Sequence, residues 1–453
     1  MGKAQTIYKC GECGSDSVKW QGQCPACGAW NSFTEVKQAA RKSAPVRGGY
    51  AGEVQGQKLA DVQDAAAARV GTGIGEFDRV LGGGLVGGSV VLIGGDPGIG
   101  KSTLLLQAAG ARSLNDDVLY ITGEESLQQI ALRARRLEVN PDGLSVLAET
   151  CVEQIVGVAE KSTAQCLIVD SIQTIYSENL PSAPGSVAQL RECAAQLVRL
   201  AKTRGITVIL VGHVTKDGNI AGPRVLEHMV DVVLYFESES GSRYRILRSV
   251  KNRFGAANEL GVFAMADNGM REVKNPSAIF LSEHTEAIPG CVVTSAFEGT
   301  RPLLIEVQAL ADQSGLGQSR RLAVGMDQNR LSMMLATLSR HGGIAAYDQD
   351  IFINVVGGVK IAETSADLAA MLAIVSSIRN MPVPRTTLVF GEVGLAGEIR
   401  PVAFGEERLQ EAAKRGFTEA IVPRGNMPKK AIKGMRIQGI DYLRGALDAA
   451  GLG

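Results

Sequence analysis

The sequence lacks any long apolar run, any excess of charge of one sign, and most aromatic side chains. No stretch approaches the roughly 20 apolar residues that a membrane-spanning helix needs, and the N-terminus lacks the apolar core of a signal peptide. Lysine plus arginine and aspartate plus glutamate both number 47, and aromatic residues make up 5%. We therefore expect a cytoplasmic protein with no membrane partner, whose affinity for nucleic acid must come from local basic patches.

The eight cysteines are too unevenly spread for a disulfide scaffold. Four of them cluster near the N-terminus and the other four are scattered, mostly among apolar neighbours. This split favours a reducing compartment and a single metal site. With 453 residues, 45% of them apolar, and 54 glycines, the chain suits α/β folding. Its length allows about three domains.

Two C-x2-C pairs stand ten residues apart, as Cys10-Gly-Glu-Cys13 and Cys24-Pro-Ala-Cys27, each followed by glycine. The two-residue spacing lets both sulfurs of a pair face one ion, and two pairs supply the tetrahedral set of a structural zinc site. Cys10, Cys13, Cys24 and Cys27 are therefore candidate zinc ligands, and no position is left for catalysis. Two disulfides are one alternative, and an iron site of the rubredoxin type is another.

Composition divides the chain into four parts. Residues 1–35 are rich in cysteine and glycine, and residues 36–67 have the mixed small and polar composition of a linker. From 68 to 275, short apolar runs alternate with helical stretches, which indicates a parallel sheet covered on both faces. A second α/β region spans residues 282–453.

A phosphate-binding loop follows an apolar run at Ser89–Ile93. The eight residues from Gly95 to Ser102 fit G-x-x-x-x-G-K-[ST], in which backbone amides and a helix N-terminus face phosphate oxygens. Lys101 is expected at the β- and γ-phosphates and Ser102 on Mg²⁺. The candidate ATP-binding residues are Gly95, Asp96, Pro97, Gly98, Ile99, Gly100, Lys101, Ser102 and Thr103.

Carboxylates end two further apolar runs. Asp170 closes the run Cys166–Asp170 and is expected to hold Mg²⁺ together with Ser102. Glu124 and Glu125 follow another run, where one of them can polarise the attacking water as a general base. Acidic residues are also favoured at helix N-termini by the helix dipole, so capping is the alternative for this pair.

These motifs together resemble the RecA-type ATPase core. With Val211-Gly-His213, the pentapeptide Lys251-Asn-Arg-Phe-Gly255 and the cysteine pairs, essentially the whole chain is similar to the RadA (Sms) family of bacterial DNA repair proteins. The resemblance implies a ring of six subunits with ATP bound between neighbours. It also implies the processing of recombination intermediates after DNA damage.

The resemblance assigns roles to four further positions. Glu124 takes the water-activating position, His213 the position that senses the γ-phosphate, and Lys251 and Arg253 reach the neighbour's nucleotide as cations acting in trans. From spacing alone, the two cations share one strand face and suit equally a solvated stripe, a DNA contact or a composite ATP site. A lone His213 beside an apolar strand is, on the same basis, structural.

Two polar segments match loops that RecA-like rings place at the central channel, residues 177–186 and 215–224. Aromatic residues are nearly absent there, so we expect electrostatic, sequence-tolerant contacts with single-stranded DNA. The arginine pair of the C-terminal region is a further candidate, with a solvated face as the alternative. The candidate DNA contacts are Lys216, Arg224, Arg320 and Arg321.

Residues 282–453 resemble the proteolytic domain of Lon proteases. Ser365, within Glu363-Thr-Ser-Ala-Asp367, falls where that family has its nucleophile, which needs a lysine as base. Glu406 stands at the matching position instead, and the nearby Arg408 is permanently protonated and a poor base. We therefore expect a domain without protease activity that serves ring assembly and DNA binding.

The sequence thus predicts an α/β protein made of a zinc ribbon-like knuckle, a RecA-like P-loop ATPase core and a Lon-protease-like domain. The resemblance implies a DNA-dependent ATPase that promotes branch migration of strand-exchange products made by RecA, with ATP, Mg²⁺ and Zn²⁺ as cofactors. The implied partners are single-stranded and branched DNA, further copies of the chain, and RecA or a replicative helicase. An ATP-switched scaffold that does not translocate and an ATP-dependent protease are the alternatives.

Overall fold

The computed structural model describes residues 5–10, 16–17, 19–25, 28, 30–31, 33–38, 69–213, 223–237, 243–282, 286–314 and 319–453. The chain separates into two compact units, Met1–Val62 and Gln63–Gly453. The smaller unit contains an antiparallel sheet of strand order β2-β1-β3. Its strands are β1 (Gln5–Cys10), β2 (Asp16–Ser17) and β3 (Phe33–Gln38).

The N-terminal half of the larger unit is built on a nine-stranded sheet of order β14-β13-β12-β11-β6-β10-β9-β7-β8, preceded by the two-stranded ribbon of β4 and β5. The strands are β4 (Arg69–Val70), β5 (Leu85–Val86), β6 (Val90–Gly95), β7 (Val118–Thr122), β8 (Leu144–Ala148), β9 (Cys166–Asp170), β10 (Thr207–His213), β11 (Val232–Glu237), β12 (Tyr244–Asn252), β13 (Leu260–Ala266) and β14 (Gly269–Glu272). The helices are α1 (Gly75–Val80), α2 (Lys101–Arg112), α3 (Leu127–Arg136), α4 (Val152–Lys161) and α5 (Val187–Arg204).

Both faces of this sheet are covered at its central strands, which explains the apolar runs in β6, β7, β9 and β10. In β6, Val91 and Ile93 pack into the core beside α1 and α2, whereas Val90 and Leu92 pack into the core beside α4 and α5. The predicted parallel sheet is confirmed for strands β6 to β11. Strands β12 to β14 extend it antiparallel, because their short connections cannot form the crossover that parallel pairing needs.

Local sequence signals mark the helix ends that frame the sheet edge. Ser126 and Gln129 form a reciprocal capping box at the start of α3. Ser186 accepts a hydrogen bond from the amide of Gln189 at the start of α5. That helix ends at Gly205, whose φ of 71° lies in the left-handed region. None of the helices in the described ranges is long and apolar enough to cross a membrane.

The C-terminal half of the larger unit contains a mixed seven-stranded sheet of order β17-β18-β16-β15-β19-β22-β23, together with the small β20-β21 hairpin. The strands are β15 (Cys291–Glu298), β16 (Arg301–Gln313), β17 (Arg321–Val324), β18 (Gln349–Val355), β19 (Thr387–Val389), β20 (Glu392–Val393), β21 (Ile399–Arg400), β22 (Glu419–Pro423) and β23 (Arg436–Ile440). The helices are α6 (Gln328–Thr337), α7 (Asp367–Arg379), α8 (Gly405–Lys414) and α9 (Leu443–Ala449). Helix α7 lies in the main core, where every residue from Asp367 to Ser376 is buried.

Ion pairs and a backbone hydrogen bond join the two halves of the larger unit at the turn between β15 and β16. Arg301 donates to both carboxylate oxygens of Glu76 in α1, each at 2.9 Å. The amide of Thr300 donates to the Glu259 side chain at 2.9 Å. Because the Arg301 and Glu76 side chains are only 14% and 13% exposed, solvent screens this pair less than a surface pair.

Candidate active site

The loop between β6 and α2 has the form of a phosphate cradle. Gly100 adopts a φ of 115°, and a Cβ atom there would lie 2.0 Å from the Met270 side chain. A Cβ at Gly98 would meet nothing within 4 Å, so open space lies above the loop at that point. Glycine thus serves close packing at Gly100 and leaves room for a ligand at Gly98.

Lys101 is folded back over this loop and is almost fully buried. Its Nζ donates to the backbone carbonyls of Gly95 at 2.7 Å and Asp96 at 2.9 Å. Burial lowers the pKa of Lys101 to about 8, and the charge of Asp170 opposes this shift. The ammonium is therefore held at the loop by neutral acceptors, which charged phosphate oxygens would replace with stronger, charge-assisted hydrogen bonds.

Three parallel strands bring the predicted side chains to one edge. His213 at the end of β10 lies opposite Gly95 at the end of β6, and β9 pairs with β10 on the other side and ends at Asp170. The side chain of Asp170 accepts a hydrogen bond from the fully buried Tyr120 phenol at 2.6 Å. Burial, followed by the charge of Asp170, raises the pKa of Tyr120 well above its usual value, so the phenol remains a donor.

The two acids after β7 have different partners. Glu124 accepts a hydrogen bond from the Ser171 hydroxyl at 2.6 Å, and its carboxylate lies 3.5 Å from Nε2 of His213. Glu125 forms an ion pair with Arg133 of α3. Of these two carboxylates, Glu124 thus faces the P-loop edge and Glu125 is neutralised by an arginine, a distinction that the sequence left open.

The surroundings of His213 at the end of β10 disfavour protonation of its imidazole. Burial, followed by the positive charge of Lys101, lowers the pKa of His213. Its backbone carbonyl accepts a hydrogen bond from the Gln173 side chain at 3.1 Å. An imidazole of lowered pKa next to Glu124 is suited to act through hydrogen bonding rather than through charge.

Sequence reasoning missed several contacts at this edge. Tyr120 donates a hydrogen bond to Asp170, and Ser171 donates one to Glu124. Arg245 of β12 donates to the carbonyl of Ile99 within the loop at 3.2 Å. A phenol inside an otherwise aliphatic strand was an available signal for Tyr120. No pattern in the sequence pointed to Arg245, because its contact joins residues 146 positions apart.

Lys251 and Arg253 do not lie at the P-loop edge of their own chain. Lys251 pairs with Val233 of β11, which pairs with Leu92 of β6, three residues before the loop begins at Gly95. Three strand residues correspond to about 10 Å, and two strand spacings add a similar distance sideways. Arg253 lies farther along the chain, just beyond the end of β12. The structure therefore separates these cations from Lys101.

The contacts of the two cations also differ. Nζ of Lys251 donates to the carbonyls of Glu227 at 2.7 Å and Val230 at 2.8 Å. Burial, followed by the charge of Arg253, lowers the pKa of Lys251. The Arg253 side chain is 59% exposed and lies 3.8 Å from Asp231. Arg253 is thus the more available of the two to a group outside the chain.

Part of the predicted zinc knuckle is described. Cys10 ends β1, and Cys24 is buried. The amide of Gly28 folds back to donate to the carbonyl of Cys24 at 2.8 Å, the tight turn that a C-x2-C-G knuckle requires. Cys13 and Cys27 lie outside the described residues. The donor set of four thiolates fits zinc.

Three of the four candidate DNA contacts are among the described residues. Arg224 is exposed in a 3-10 turn, and Lys216 lies outside the described residues. Arg320 and Arg321 are exposed at β17, an edge strand, and the amide of Arg320 donates to the Asp350 carboxylate at 2.7 Å. Arg224 thus lies in the N-terminal half of the larger unit, and Arg320 and Arg321 lie in its C-terminal half.

Hydrogen bonds from one buried side chain hold the backbone of the segment 177–186. The buried Gln189 side chain donates to the carbonyls of Ser177, Leu180 and Ser182. The segment contains no lysine or arginine and one acid, Glu178. Contacts with phosphate at this segment would therefore use hydroxyls and backbone amides rather than charge.

The Lon-like serine has no free base beside it. Ser365 is buried, and its hydroxyl donates to Glu363 at 2.7 Å and to the carbonyl of Ser295 at 3.3 Å. Arg408, not Glu406, reaches this position: its guanidinium is fully buried and binds both oxygens of Glu363 at 2.9 and 2.7 Å. Glu406 is exposed in the first turn of α8.

The electrostatics also oppose proton removal from this serine. Burial acts to raise the pKa of Glu363, but hydrogen bonds and charge from Arg408 outweigh it and lower the pKa. A carboxylate of lowered pKa, already neutralised by an arginine, is a weak base for the Ser365 hydroxyl.

Three family models match the chain. One described as an AAA domain covers residues 58–219, one described as a rubredoxin metal binding domain covers 8–35, and one described as subunit ChlI of Mg-chelatase covers 321–426. The first contains the P-loop and Asp170, and the second contains all four clustered cysteines. ATP, magnesium and zinc are accordingly the cofactors that this chain binds.

Full-length relatives are also similar. The DNA repair protein RadA of Pseudomonas aeruginosa is 58% identical and that of Escherichia coli is 56% identical, each over 99% of this chain and 99% of the relative. A solved structure of the RadB recombinase aligns with a TM-score of 0.36 and 21% identity, covering 45% of this chain and 99% of that chain. That last likeness is too slight to add to the assignment.

Proposed function

This chain belongs to the RadA family of DNA repair proteins, and we propose that it is a DNA-dependent ATPase that works as a ring-shaped motor on recombination intermediates. Its task in this proposal is branch migration of strand-exchange products made by RecA. The RecA-like core and its intact P-loop support ATP hydrolysis. The motor activity and the DNA substrate are the parts that experiment has to test.

Within one subunit, Lys101 would bind the β- and γ-phosphates, and Ser102 and Asp170 would hold magnesium. The ion, when bound, neutralises charge on the phosphate oxygens. Glu124 would take a proton from the attacking water, because Ser171 orients its carboxylate and no arginine among the described residues forms an ion pair with it. His213 would sense the γ-phosphate, since its imidazole lies next to Glu124 and burial lowers its pKa.

The position of Lys251 and Arg253 is the observation that carries the ring proposal. Lys251 pairs through Val233 with the middle of β6, and Arg253 lies beyond the end of β12, so neither lies at the P-loop edge of its own subunit. In a head-to-tail ring, one surface of each subunit meets a different surface of the next. In this proposal, the surface with these two cations meets the neighbour's P-loop edge. Two cations from a neighbour would then stabilise charge on the transferring phosphoryl group.

Steady-state ATP hydrolysis with and without single-stranded DNA tests the motor reading. At low ionic strength, where phosphate contacts are strongest, DNA is expected to raise turnover severalfold, and Lys101→Ala to abolish it. An ATP turnover rate that is the same with and without DNA would refute the motor and favour an ATP-switched scaffold.

A mixing experiment tests the composite ATP site. Lys101→Ala and Arg253→Ala subunits are expected to be inactive alone but to recover part of the activity when mixed. A mixed ring contains interfaces in which an intact Lys101 meets an intact Arg253 from the neighbour. If both residues served the same subunit, mixing would restore nothing.

A protease function has less support. Ser365 is buried and hydrogen-bonded to a carboxylate that Arg408 already neutralises, so the serine lacks an activating base. Peptide hydrolysis by the wild type that disappears in Ser365→Ala would overturn this conclusion.

A further inference from the structure

The connection between β22 and β23 is unusually basic for a chain of zero net charge. Residues 424–436 contain five cations and no acidic residue, namely Arg424, Lys429, Lys430, Lys433 and Arg436. Arg424 pairs with Asp441 at 2.7 Å. The other four side chains are exposed, and none of them has an ion-pair partner within the described part of the chain. Their charge is therefore available to a group outside the chain.

Packing and hydrogen bonds hold the segment 424–436 against the rest of the C-terminal half. Ile432 and Met435 pack against the smaller core of the C-terminal half. Asn426 exchanges two hydrogen bonds of 2.8 Å with the backbone of Val402, and the amide of Arg436 donates to the carbonyl of Thr418 at 2.8 Å. Because the backbone is already ordered, binding there costs less conformational entropy than binding by a free tail.

Resting on the proposed DNA-processing function, we propose that Lys429, Lys430, Lys433 and Arg436 bind the phosphate backbone of double-stranded DNA. The segment 424–436 contains no aromatic residue, so it offers no platform for stacking unpaired bases. A duplex presents one charge per roughly 1.7 Å of its axis, a higher density than a single strand offers. From Lys429 to Arg436 the chain spans at most about 25 Å, the length of about seven base pairs.

This surface lies apart from the other basic candidates. The segment leads into β23 at one edge of the seven-stranded sheet, whereas Arg320 and Arg321 stand at β17 on the opposite edge. Six strand spacings separate the two edges, about 29 Å along the sheet. Branched DNA has several arms, so a duplex arm held at 424–436 leaves Arg320 and Arg321 free to contact another strand.

A different role for lysines beside an edge strand is to discourage pairing with other chains. That role predicts that neutralising the lysines promotes aggregation and leaves affinity for DNA unchanged. Binding of an acidic protein segment is a second competing role, and it predicts affinity for poly-glutamate rather than for DNA.

The test is duplex binding by the full chain carrying Lys429→Gln, Lys430→Gln and Lys433→Gln. Fluorescence anisotropy with a short labelled duplex is measured over a series of salt concentrations. Each phosphate contact contributes about 0.9 to the slope of log affinity against log salt, so the triple variant is expected to have a slope shallower by about 2.7. Arginine at the same three positions keeps the charge and is expected to keep the slope.

The matched control removes the same charge elsewhere, with Arg135→Gln, Arg136→Gln and Lys161→Gln. These three residues are exposed cations, as the three lysines are. The control variant and the 424–436 variant therefore have the same net charge. The inference holds if the 424–436 variant alone loses slope while its thermal unfolding stays that of the wild type. It is overturned if the slope is unchanged, if the control loses as much, or if only poly-glutamate binding is lost.

The same samples separate this inference from the proposed function. The 424–436 variant is expected to retain the stimulation of ATP hydrolysis by single-stranded DNA. If single-stranded DNA does not stimulate ATP hydrolysis by the wild type, the motor proposal is refuted, whatever the duplex data show. If the wild type is stimulated but the 424–436 variant binds duplex DNA as tightly as the wild type, only the proposed duplex surface is refuted.

Discussion

The phenolic oxygen of Tyr120 lies 2.6 Å from Oδ2 of Asp170, inside the core of the ATPase sheet. The donor comes from the strand next to the one that ends at Asp170. A hydrogen-bond donor of this kind restricts the orientation of the carboxylate at the end of β9.

Tyr120→Phe is expected to raise the magnesium concentration needed for half-maximal nucleotide binding by about tenfold, because Asp170 loses its orienting donor. The check is a magnesium titration of fluorescent ATP binding. Tyr235→Phe is the matched control, since that phenol donates to Glu227 at 2.9 Å. An equal shift in both variants would mean that Tyr120 only stabilises the fold.

Replacing the two acids after β7 separately is expected to give unequal losses. Glu124→Gln should lower kcat by about 10² to 10⁴ with ATP binding retained, the range for loss of a general base. Glu125→Gln breaks an ion pair with Arg133 and should lower kcat far less. Turnover and nucleotide affinity are measured for both. The reverse ranking would assign the base to Glu125.

ATP affinity is expected to fall as pH rises above about 8, the pKa that burial gives Lys101. Phosphate binding needs the protonated ammonium, so affinity should fall about tenfold per pH unit above that value and stay level below it. Lys101→Arg keeps its charge throughout, so its affinity should not change over this range. Binding is measured from neutral pH to the alkaline range. A flat wild-type profile would contradict the prediction.

The pair of Arg408 and Glu363 is expected to matter for stability rather than for catalysis. Arg408→Met keeps much of the side-chain volume but leaves Glu363 without its cation, at a cost of about 3 kcal/mol in the free energy of unfolding. Ser365→Ala removes one hydrogen bond and should cost about 1 kcal/mol. Chemical denaturation measures both. Equal losses would show that the ion pair adds nothing beyond packing.

Local motifs could be predicted from the sequence because their residues are adjacent in the chain. The P-loop from Gly95 to Ser102 needs only a strand, a glycine-rich turn and a helix start, and the paired cysteines need only a fixed spacing. The runs that became β6, β7, β9, β10 and β11 were recognisable because strands buried on both faces are mostly apolar. The family resemblance, confirmed by the full-length relatives, added expected roles for His213, Lys251 and Arg253 that spacing alone left open.

The tertiary structure alone decided which side chains meet across long separations. Tyr120 reaches Asp170 over 50 positions, Glu363 reaches Arg408 over 45, and no spacing rule encodes either contact. The distinction between Glu124 and Glu125 depended on which neighbour each carboxylate finds after the chain folds. Sequence by itself determined the chemistry that this protein carries, because motif residues are contiguous. Only the folded structure decided which side chains contact one another and which are buried, because those contacts come from strands that are not adjacent in the sequence.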